Sequence, residues 1–128
     1  MKLLLDTCAF LWMSDQTDCL SSHVQALLTD PDNELILHQA TTLEIQIKYD
    51  KGHLPLGVPP HKFIPESIAK HKVLYHTLSD ADIHFLGRLP MHHRDPFDRL
   101  LICHAIINGL TIITHDPLIH QYPVNYIW

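Results

Sequence analysis

The chain has 128 residues, of which 46% are hydrophobic and 18% are charged, and its formal net charge is −5. This composition is that of an ordinary globular protein and argues against a disordered or membrane-spanning chain. The negative charge gives no sign of a general nucleic-acid-binding surface. We therefore expect one domain over residues 1–128 with a sizeable core.

The N-terminus and the cysteines indicate where the protein works. The opening MKLLLDTC reaches an acid too early for a secretory signal peptide. Cys8, Cys19 and Cys103 form no CxxC pair, and an odd cysteine count without such a signal is typical of reduced thiols. We expect a cytoplasmic protein without a membrane partner.

Strands and helices alternate in the first half of the chain. In order, we predict a strand over 2–6, helices over 8–14 and 21–30, a strand over 34–38 and a helix over 41–52. The run KLLLD is short, continuous and apolar, as in buried parallel strands. Thr7 is the expected cap of the first helix, Ser21 or Ser22 that of the second, and Gly52 ends the third.

The alternation continues after a Pro- and Gly-rich loop. We predict a loop over 54–60, a helix over 62–72, a strand over 73–78, helices over 79–89 and 97–108, a strand over 110–114 and a short strand near 124–128. Pro65 should shift or kink its helix. Ser79 and Gly109 are the expected N-terminal and C-terminal caps of their helices. The pattern predicts an α/β fold with a mostly parallel sheet and right-handed crossovers.

Four acids fall at one predicted edge of this sheet. Asp6 and Asp116 end strands, whereas Glu44 and Asp98 lie in the first turns of helices that follow the carboxyl edge. In open α/β sheets, sites form just beyond the carboxyl ends of the strands. We therefore expect these four side chains to converge.

Each acid also has a purely structural interpretation. Thr41 and Glu44 have the spacing of a capping box, and Asp6 could cap the helix that follows it. Asp95, followed by proline, reads as a helix cap that would place Asp98 in the first turn, and Asp116 could mark a turn. The sequence alone leaves both interpretations open for each residue.

Convergence of the acids would favour a metal site. Clustered carboxylates repel one another unless a cation neutralises them. Oxygen ligands of this kind suit Mg²⁺ or Mn²⁺, which keep several waters and bind substrate phosphate. Such ions activate water and stabilise a leaving oxygen, as phosphodiester hydrolysis requires.

Four segments resemble the PIN-domain ribonucleases, in particular the VapC-type toxins of bacterial toxin–antitoxin modules. They are LLLDTCAFLW (3–12), TTLEIQIKYDKGHL (41–54), HHRDPFDRLLICHA (92–105) and LTIITHDP (110–117). The segments follow the family's order over nearly the whole chain, and HRDPFDRLL is the most distinctive. Leu43, Gln46 and Pro65 depart from the family pattern and affect local packing and partner contacts rather than the acids.

The resemblance implies a three-layer α/β/α sandwich with an endoribonuclease site that uses Mg²⁺ or Mn²⁺. It assigns the catalytic, metal-binding acids to Asp6, Glu44, Asp98 and Asp116, with Asp95 in support as a cap or outer group that could exchange roles with Asp98. It also implies an RNA substrate, a cognate antitoxin protein and a homodimer.

Several neighbouring residues have two interpretations each. Thr7 could contact a ligand or phosphate instead of capping a helix. Arg94, Arg99 and Lys48 could hold RNA phosphates or be solvated surface charges. The histidines fit no metal-binding motif and are expected at the surface.

The aromatic residues and the third cysteine are likewise open. Phe10 and Trp12 could stack on bases or pack in the core. Trp12 and Tyr49 are candidates for contact with a protein partner, and Cys103 is expected in the core.

Three alternative functions remain at this stage. A phosphatase with an aspartyl nucleophile would need a second aspartate at position 8, where the chain has Cys8. A receiver-like signalling domain would need an acidic pair after the first strand and a late lysine, and no lysine follows Lys72. A PIN fold that only binds, without nuclease activity, is disfavoured by the four acids.

Overall fold

The computed structural model describes all 128 residues and contains five strands and six α-helices. The strands are β1 (Lys2–Leu5), β2 (Glu34–His38), β3 (Leu74–His76), β4 (Thr111–Ile113) and β5 (Asn125–Ile127). The helices are α1 (Thr7–Asp15), α2 (Ser22–Thr29), α3 (Gln39–Asp50), α4 (Pro60–His71), α5 (Asp80–Phe85) and α6 (Pro96–Asn108). No helix combines the length and apolar character that a membrane span requires.

All five strands are parallel, in the order β3-β2-β1-β4-β5. Strand β1 lies at the centre, where Leu3 is opposite Leu35 of β2 and Thr111 of β4. Because the strands run the same way, their carboxyl ends share one edge. The predicted α/β class is confirmed, and the sheet is wholly rather than mostly parallel.

Each face of the sheet is covered, which confirms the three-layer arrangement. Successive side chains of a strand point to opposite faces. Accordingly Leu3 and Leu5 pack in one buried cluster, with residues of α1 to α4, and Leu4 packs in another, with residues of α6. The continuous apolar run of β1 therefore serves two cores at once.

The helix ends agree with the sequence in part. Ser21 and Ser79 cap their helices as predicted, and Gly109 ends α6 with a φ of 65°. The predicted cap Thr7 is wrong, because α1 already begins at Thr7 and the side chain of Asp6 accepts its cap hydrogen bond. The predicted helix over 79–89 ends earlier, at Phe85, and continues as a short 3₁₀ turn.

The predicted capping box at the start of α3 is also wrong. Strand β2 runs directly into α3, so the helix begins at Gln39 and His38 is its cap. The Ala40 backbone N–H donates to His38 Nδ1 at 2.9 Å. The Thr41 hydroxyl is buried without a hydrogen-bond partner, and Glu44 lies in the second turn rather than the first.

Pro65 does not interrupt its helix. Helix α4 starts at Pro60, before the predicted position, and includes Pro65 in its second turn. Pro60 is well placed at the first position of the helix, because the N–H that proline lacks would have no helical partner there. Pro65 is exposed, so the carbonyl that loses its helical partner can reach water.

A buried polar network ties four elements together beside α3. Asp82 Oδ2 lies 3.0 Å from His38 Nε2, and Asp82 Oδ1 lies 2.9 Å from His104 Nδ1. His76 Nδ1 lies 2.8 Å from His104 Nε2. The prediction of surface histidines is therefore wrong for His38 and His104, which are buried. Local sequence could not reveal this, because the partners come from β2, β3, α5 and α6.

The network holds neutral histidine against an ionised carboxylate. Burial lowers the pKa of His38, and this outweighs the hydrogen bond and charge of Asp82, which raise it. Burial would raise the pKa of Asp82, but hydrogen bonds with His38 and His104 lower it overall. Because His38 Nδ1 accepts from Ala40, the ring proton is on Nε2 and is donated to Asp82. The same tautomer leaves Nε2 of His38 without a lone pair for a metal.

A matched pair of isoleucines tests the packing around β2. Ile36 is fully buried and Ile107 is 41% exposed. We expect Ile36→Val to lower the free energy of unfolding by about 0.5–1.5 kcal/mol, because a buried methylene is lost. The control Ile107→Val should change it by less than about 0.5 kcal/mol. Urea unfolding of both variants measures the difference, and equal effects would contradict the assigned faces.

The His38 tautomer predicts how stability responds to acid. A histidine with a lowered folded-state pKa loses its contribution to stability as the pH falls through about 6.5, since the unfolded chain then binds more protons. His38→Asn keeps an acceptor for the Ala40 N–H but removes this titration. We expect the variant to be less stable than wild type at about pH 7.5, and the gap to narrow at about pH 5.5.

Urea unfolding at the two pH values measures this gap. The acids that do not contact His38 titrate in both proteins, so their effects cancel in the comparison. A gap that widens in acid would mean that the folded protein holds a protonated His38 in an ion pair with Asp82.

Candidate active site

The four predicted acids converge on one cavity at the carboxyl edge of the sheet. Asp6 follows β1, Asp116 lies beyond β4, Glu44 projects from α3 and Asp98 from the first turn of α6. The cavity has a volume of about 340 Å³ and is lined by Asp6, Thr7, Cys8, Glu44, Lys48, Asp95, Asp98, His115, Asp116 and Pro117. Their convergence was expected from strand direction alone.

Asp6 is both a helix cap and a wall of the cavity. Its Oδ1 accepts the Ala9 backbone N–H at 2.8 Å, and the residue is only 6% exposed. Burial raises the pKa of Asp6, whereas hydrogen bonds with the Thr114 side chain and the Ala9 amide oppose the shift. The two interpretations left open by the sequence therefore hold together for this residue.

Glu44 is held on both of its oxygens. The Thr7 hydroxyl donates to Oε1 at 2.6 Å, and Lys48, one turn along α3, forms a salt bridge with Oε2. Thr7 thus orients the carboxylate across the gap between α1 and α3. Burial lowers the pKa of Lys48, but its hydrogen bond and ion pair with Glu44 raise it overall, so the ammonium form is favoured.

Asp95 and Asp98 lie one turn apart at the start of α6. Asp95 caps the helix as predicted, accepting the backbone N–H groups of Phe97 (2.8 Å) and Asp98 (3.3 Å) on Oδ1. Burial, reinforced by the charges of Asp95 and Glu44, raises the pKa of Asp98 to about 7. The surroundings of Asp98 therefore oppose its negative charge near neutral pH.

Asp116 has its two oxygens bound to different groups. Its Oδ1 accepts the Leu118 backbone N–H at 2.9 Å, which confirms the predicted turn. Its Oδ2 lies 2.9 Å from His93 Nε2. The same nitrogen lies 3.0 Å from Asp98 Oδ2, so one imidazole stands between two acids of the cavity.

Sequence reasoning missed His93, which is buried rather than at the surface. It lies in the loop before α6, and the Asp95 backbone N–H donates to its Nδ1 at 3.1 Å. A signal was present in its position two residues before a helix cap, within the distinctive HRDPFDRLL region. Its partner Asp116 is distant in sequence, so the pairing itself could not be inferred.

The three basic residues predicted near RNA have different environments. Arg94 is exposed, and its contact with phosphate stays a prediction. Lys48 lines the cavity but is paired with Glu44. Arg99 is 8% exposed and donates to the carbonyls of Pro90 and Leu86, so the prediction of a phosphate contact is wrong for it.

A cluster of aromatic rings adjoins the cavity through His115. The ring of His115 lies 5.2 Å from that of Trp12 and 4.9 Å from that of Trp128. Phe10 is fully buried and packs edge-on against Phe63, so it belongs to the core and cannot stack on a base. His115 is exposed and is the one aromatic ring among the residues that line the cavity.

The remaining polar groups do not form a nucleophilic site. Burial, with the charge of Asp6, raises the pKa of Cys8 to about 11, so the thiol stays protonated at neutral pH. Cys103 is buried in α6, as predicted. Neither cysteine has the activated character of a catalytic thiol.

The donor set of the cavity fits a divalent cation of the Mg²⁺ class. Its acids offer carboxylate oxygens only, which hard cations prefer. Lys48 is paired with one of them, and burial, joined by the charge of neighbouring acids, raises the pKa values of Asp6 and Asp98. A bound cation would relieve this repulsion.

Comparisons with known proteins agree with this architecture. The PIN domain family model matches residues 3–125. Among curated proteins, none matches the sequence.

Solved structures share the fold at low sequence identity. VapBC2 from Rickettsia felis, bound to a DNA fragment of its promoter, is 14% identical with a TM-score of 0.74, over 99% of this chain and 98% of that chain. DNA-bound VapBC from Salmonella typhimurium is 13% identical with a TM-score of 0.70, over 99% and 97%. VapBC-1 from nontypeable Haemophilus influenzae is 18% identical with a TM-score of 0.63, over 99% and 97%.

Proposed function

Because the chain belongs to the PIN domain family, we propose that it is a metal-dependent endoribonuclease and the toxin of a toxin–antitoxin pair. The observation that carries the proposal is the convergence of Asp6, Glu44, Asp98 and Asp116 on one cavity. These acids come from four separate elements, so their meeting is a property of the fold rather than of one local motif.

The cavity supports a division of labour among the acids. Asp6 and Asp98 are the proposed principal ligands, since they are the acids with raised pKa values. Glu44 and Asp116 complete the site or orient the attacking water. Held there, Mg²⁺ or Mn²⁺ would supply an activated water and stabilise the leaving oxygen.

The surroundings of the acids support RNA as the substrate. A phosphodiester in the cavity would meet Lys48 beside Glu44, and Arg94 is exposed near the start of α6. The ring of His115 at the rim offers a face for an unpaired base. Hydrolysis by water requires no covalent nucleophile, which agrees with the protonated thiol of Cys8.

Asparagine at position 6 separates catalysis from capping. Asparagine caps helices as well as aspartate does, so Asp6→Asn should keep or raise stability while removing a charge that burial opposes. Loss of a direct metal ligand should reduce RNA cleavage at least about a hundredfold, since even outer groups around a metal typically matter by ten- to a hundredfold.

The assay uses purified protein, a mixed cellular RNA pool, and Mg²⁺, Mn²⁺ or a chelator. Asp32→Asn, at an exposed acid away from the cavity, is the matched control and should cleave like wild type. Unchanged cleavage by Asp6→Asn would contradict the assigned site. Folded wild type that binds metal but cuts nothing in the pool would favour a binding role instead.

An antitoxin is the proposed protein partner. The similar structures are VapBC complexes, two of them bound to DNA, and this likeness supports a second protein that holds the toxin. A homodimer is proposed with it, on the family resemblance alone. Trp12 and Tyr49 remain candidate contacts, and both are partly buried in the single chain.

Expression in bacteria tests the toxin proposal. We expect the wild-type chain alone to arrest growth, and the protein encoded beside it to restore growth. Asp98→Asn should be harmless because it removes a proposed ligand, whereas Asp32→Asn should arrest growth as wild type does. Immunoblots of the soluble fraction establish equal amounts. Normal growth with abundant folded wild type would contradict the proposal.

A further inference from the structure

We propose that His93 is a positioning residue that donates its Nε2–H to Asp116 and lies in ion-pair contact with Asp98, so that it holds both acids in place, and that it is not itself a metal ligand. The inference rests on the proposed metal site. Three groups lie close enough together to suggest a shared ion, since His93 Nε2 is 3.0 Å from Asp98 and 2.9 Å from Asp116. The hydrogen bonds around the imidazole favour the other interpretation.

The tautomer of His93 follows from its second nitrogen. The Asp95 backbone N–H donates to Nδ1 at 3.1 Å, so that nitrogen must present a lone pair. A neutral imidazole with a lone pair on Nδ1 carries its proton on Nε2. That proton points into the acid cavity, where Asp116 accepts it and Asp98 lies beside it.

A ligand role would require the opposite tautomer. To bind a cation through Nε2, His93 would move its proton to Nδ1, where it would face the N–H of Asp95. Two donors would then oppose each other in a part of the protein where an unsatisfied N–H is costly. This N–H belongs to Asp95, the cap residue of α6, and a backbone N–H can only donate, so Nδ1 is kept as an acceptor.

The backbone of His93 is held as firmly as its ring. The Tyr122 hydroxyl accepts the backbone N–H groups of His92 (3.1 Å) and His93 (2.8 Å). Arg99 Nη1 lies 3.3 Å from the same hydroxyl and 3.0 Å from the carbonyl of Pro90. The buried Arg99 thus fixes the loop that carries His93, which gives this arginine a role away from RNA.

The Nε2–H of His93 offsets a repulsion between carboxylates that is present before any metal binds. Asp98 and Asp116 come from different elements and repel each other before any cation is bound. A single N–H between them offsets that repulsion, and each carboxylate oxygen has a further lone pair with which to bind an ion. Metal-binding carboxylates commonly depend on such outer hydrogen bonds.

Two substitutions separate the roles of the two ring nitrogens of His93. His93→Asn can still accept the Asp95 N–H but is too short to reach the acids. His93→Gln extends to the position of Nε2 and can donate there. We expect Mn²⁺ affinity, measured by calorimetry, to fall about ten- to a hundredfold in His93→Asn. It should fall no more than about threefold in His93→Gln, because the donor is restored.

Equal Mn²⁺ affinities for wild type and His93→Asn would overturn the inference. An equal loss of affinity in both variants would also overturn it, because that result is expected if His93 is a metal ligand. Wild type that binds Mn²⁺ but cuts no RNA would contradict the proposed function and leave the His93 inference standing. Urea unfolding of each variant ensures that affinities are compared between folded proteins.

The tautomer can also be measured without any substitution. Long-range ¹H–¹⁵N spectra of the wild-type protein distinguish a proton on Nε2 from one on Nδ1. We expect the Nε2–H form of His93 both without metal and with saturating Mg²⁺. A switch to the Nδ1–H form on adding Mg²⁺ would overturn the inference in favour of a ligand.

Discussion

Mutual repulsion of carboxylates is the constraint on which this structure is built. Five acids line a cavity of about 340 Å³, and burial adds to the cost of their charges. The fold offsets this cost with hydrogen-bond and ion-pair donors close to each acid. Asp6 has a backbone amide and a hydroxyl, and Glu44 has a hydroxyl and an ammonium group. Asp116 has a backbone amide and an imidazole. Burial and the charges of neighbouring acids raise the pKa of Asp98 to about 7.

The same donors connect the site to the framework of the protein. Asp6 and Asp95 cap α1 and α6. The backbone N–H groups that donate to these two carboxylates are therefore the ones that lack partners at the helix N-termini. Helix N-termini carry partial positive charge, which favours anions at that end. Buried carboxylates that would destabilise the protein on their own are therefore compatible with a stable fold, because the partial positive charge of the backbone N–H groups offsets part of their negative charge.

Much of this arrangement was predictable from the sequence, because it depends on the direction of the strands rather than on individual side-chain contacts. The apolar run before Asp6 predicts a buried parallel strand, and parallel strands place their carboxyl ends on one edge. The start of α3 was missed because β2 continues into it without a loop, which moves the cap from Thr41 to His38. His93, Arg99 and the Asp82 network were missed because their partners lie in other elements. Pairings of that kind depend on three-dimensional packing, which local patterns do not report.

The pairing of β1 with β4 also governs when the site can exist. These neighbours lie at opposite ends of the chain, since Leu3 pairs with Thr111. A growing chain emerges from the ribosome N-terminus first, so Asp6 and Glu44 are available long before Asp98, Asp116 and the strand that aligns them. Contacts of such long sequence separation form late and slowly. The acid cluster is thus assembled only when synthesis is nearly complete, and a truncated product carries the first strand and its carboxylate without the geometry that gives them chemistry.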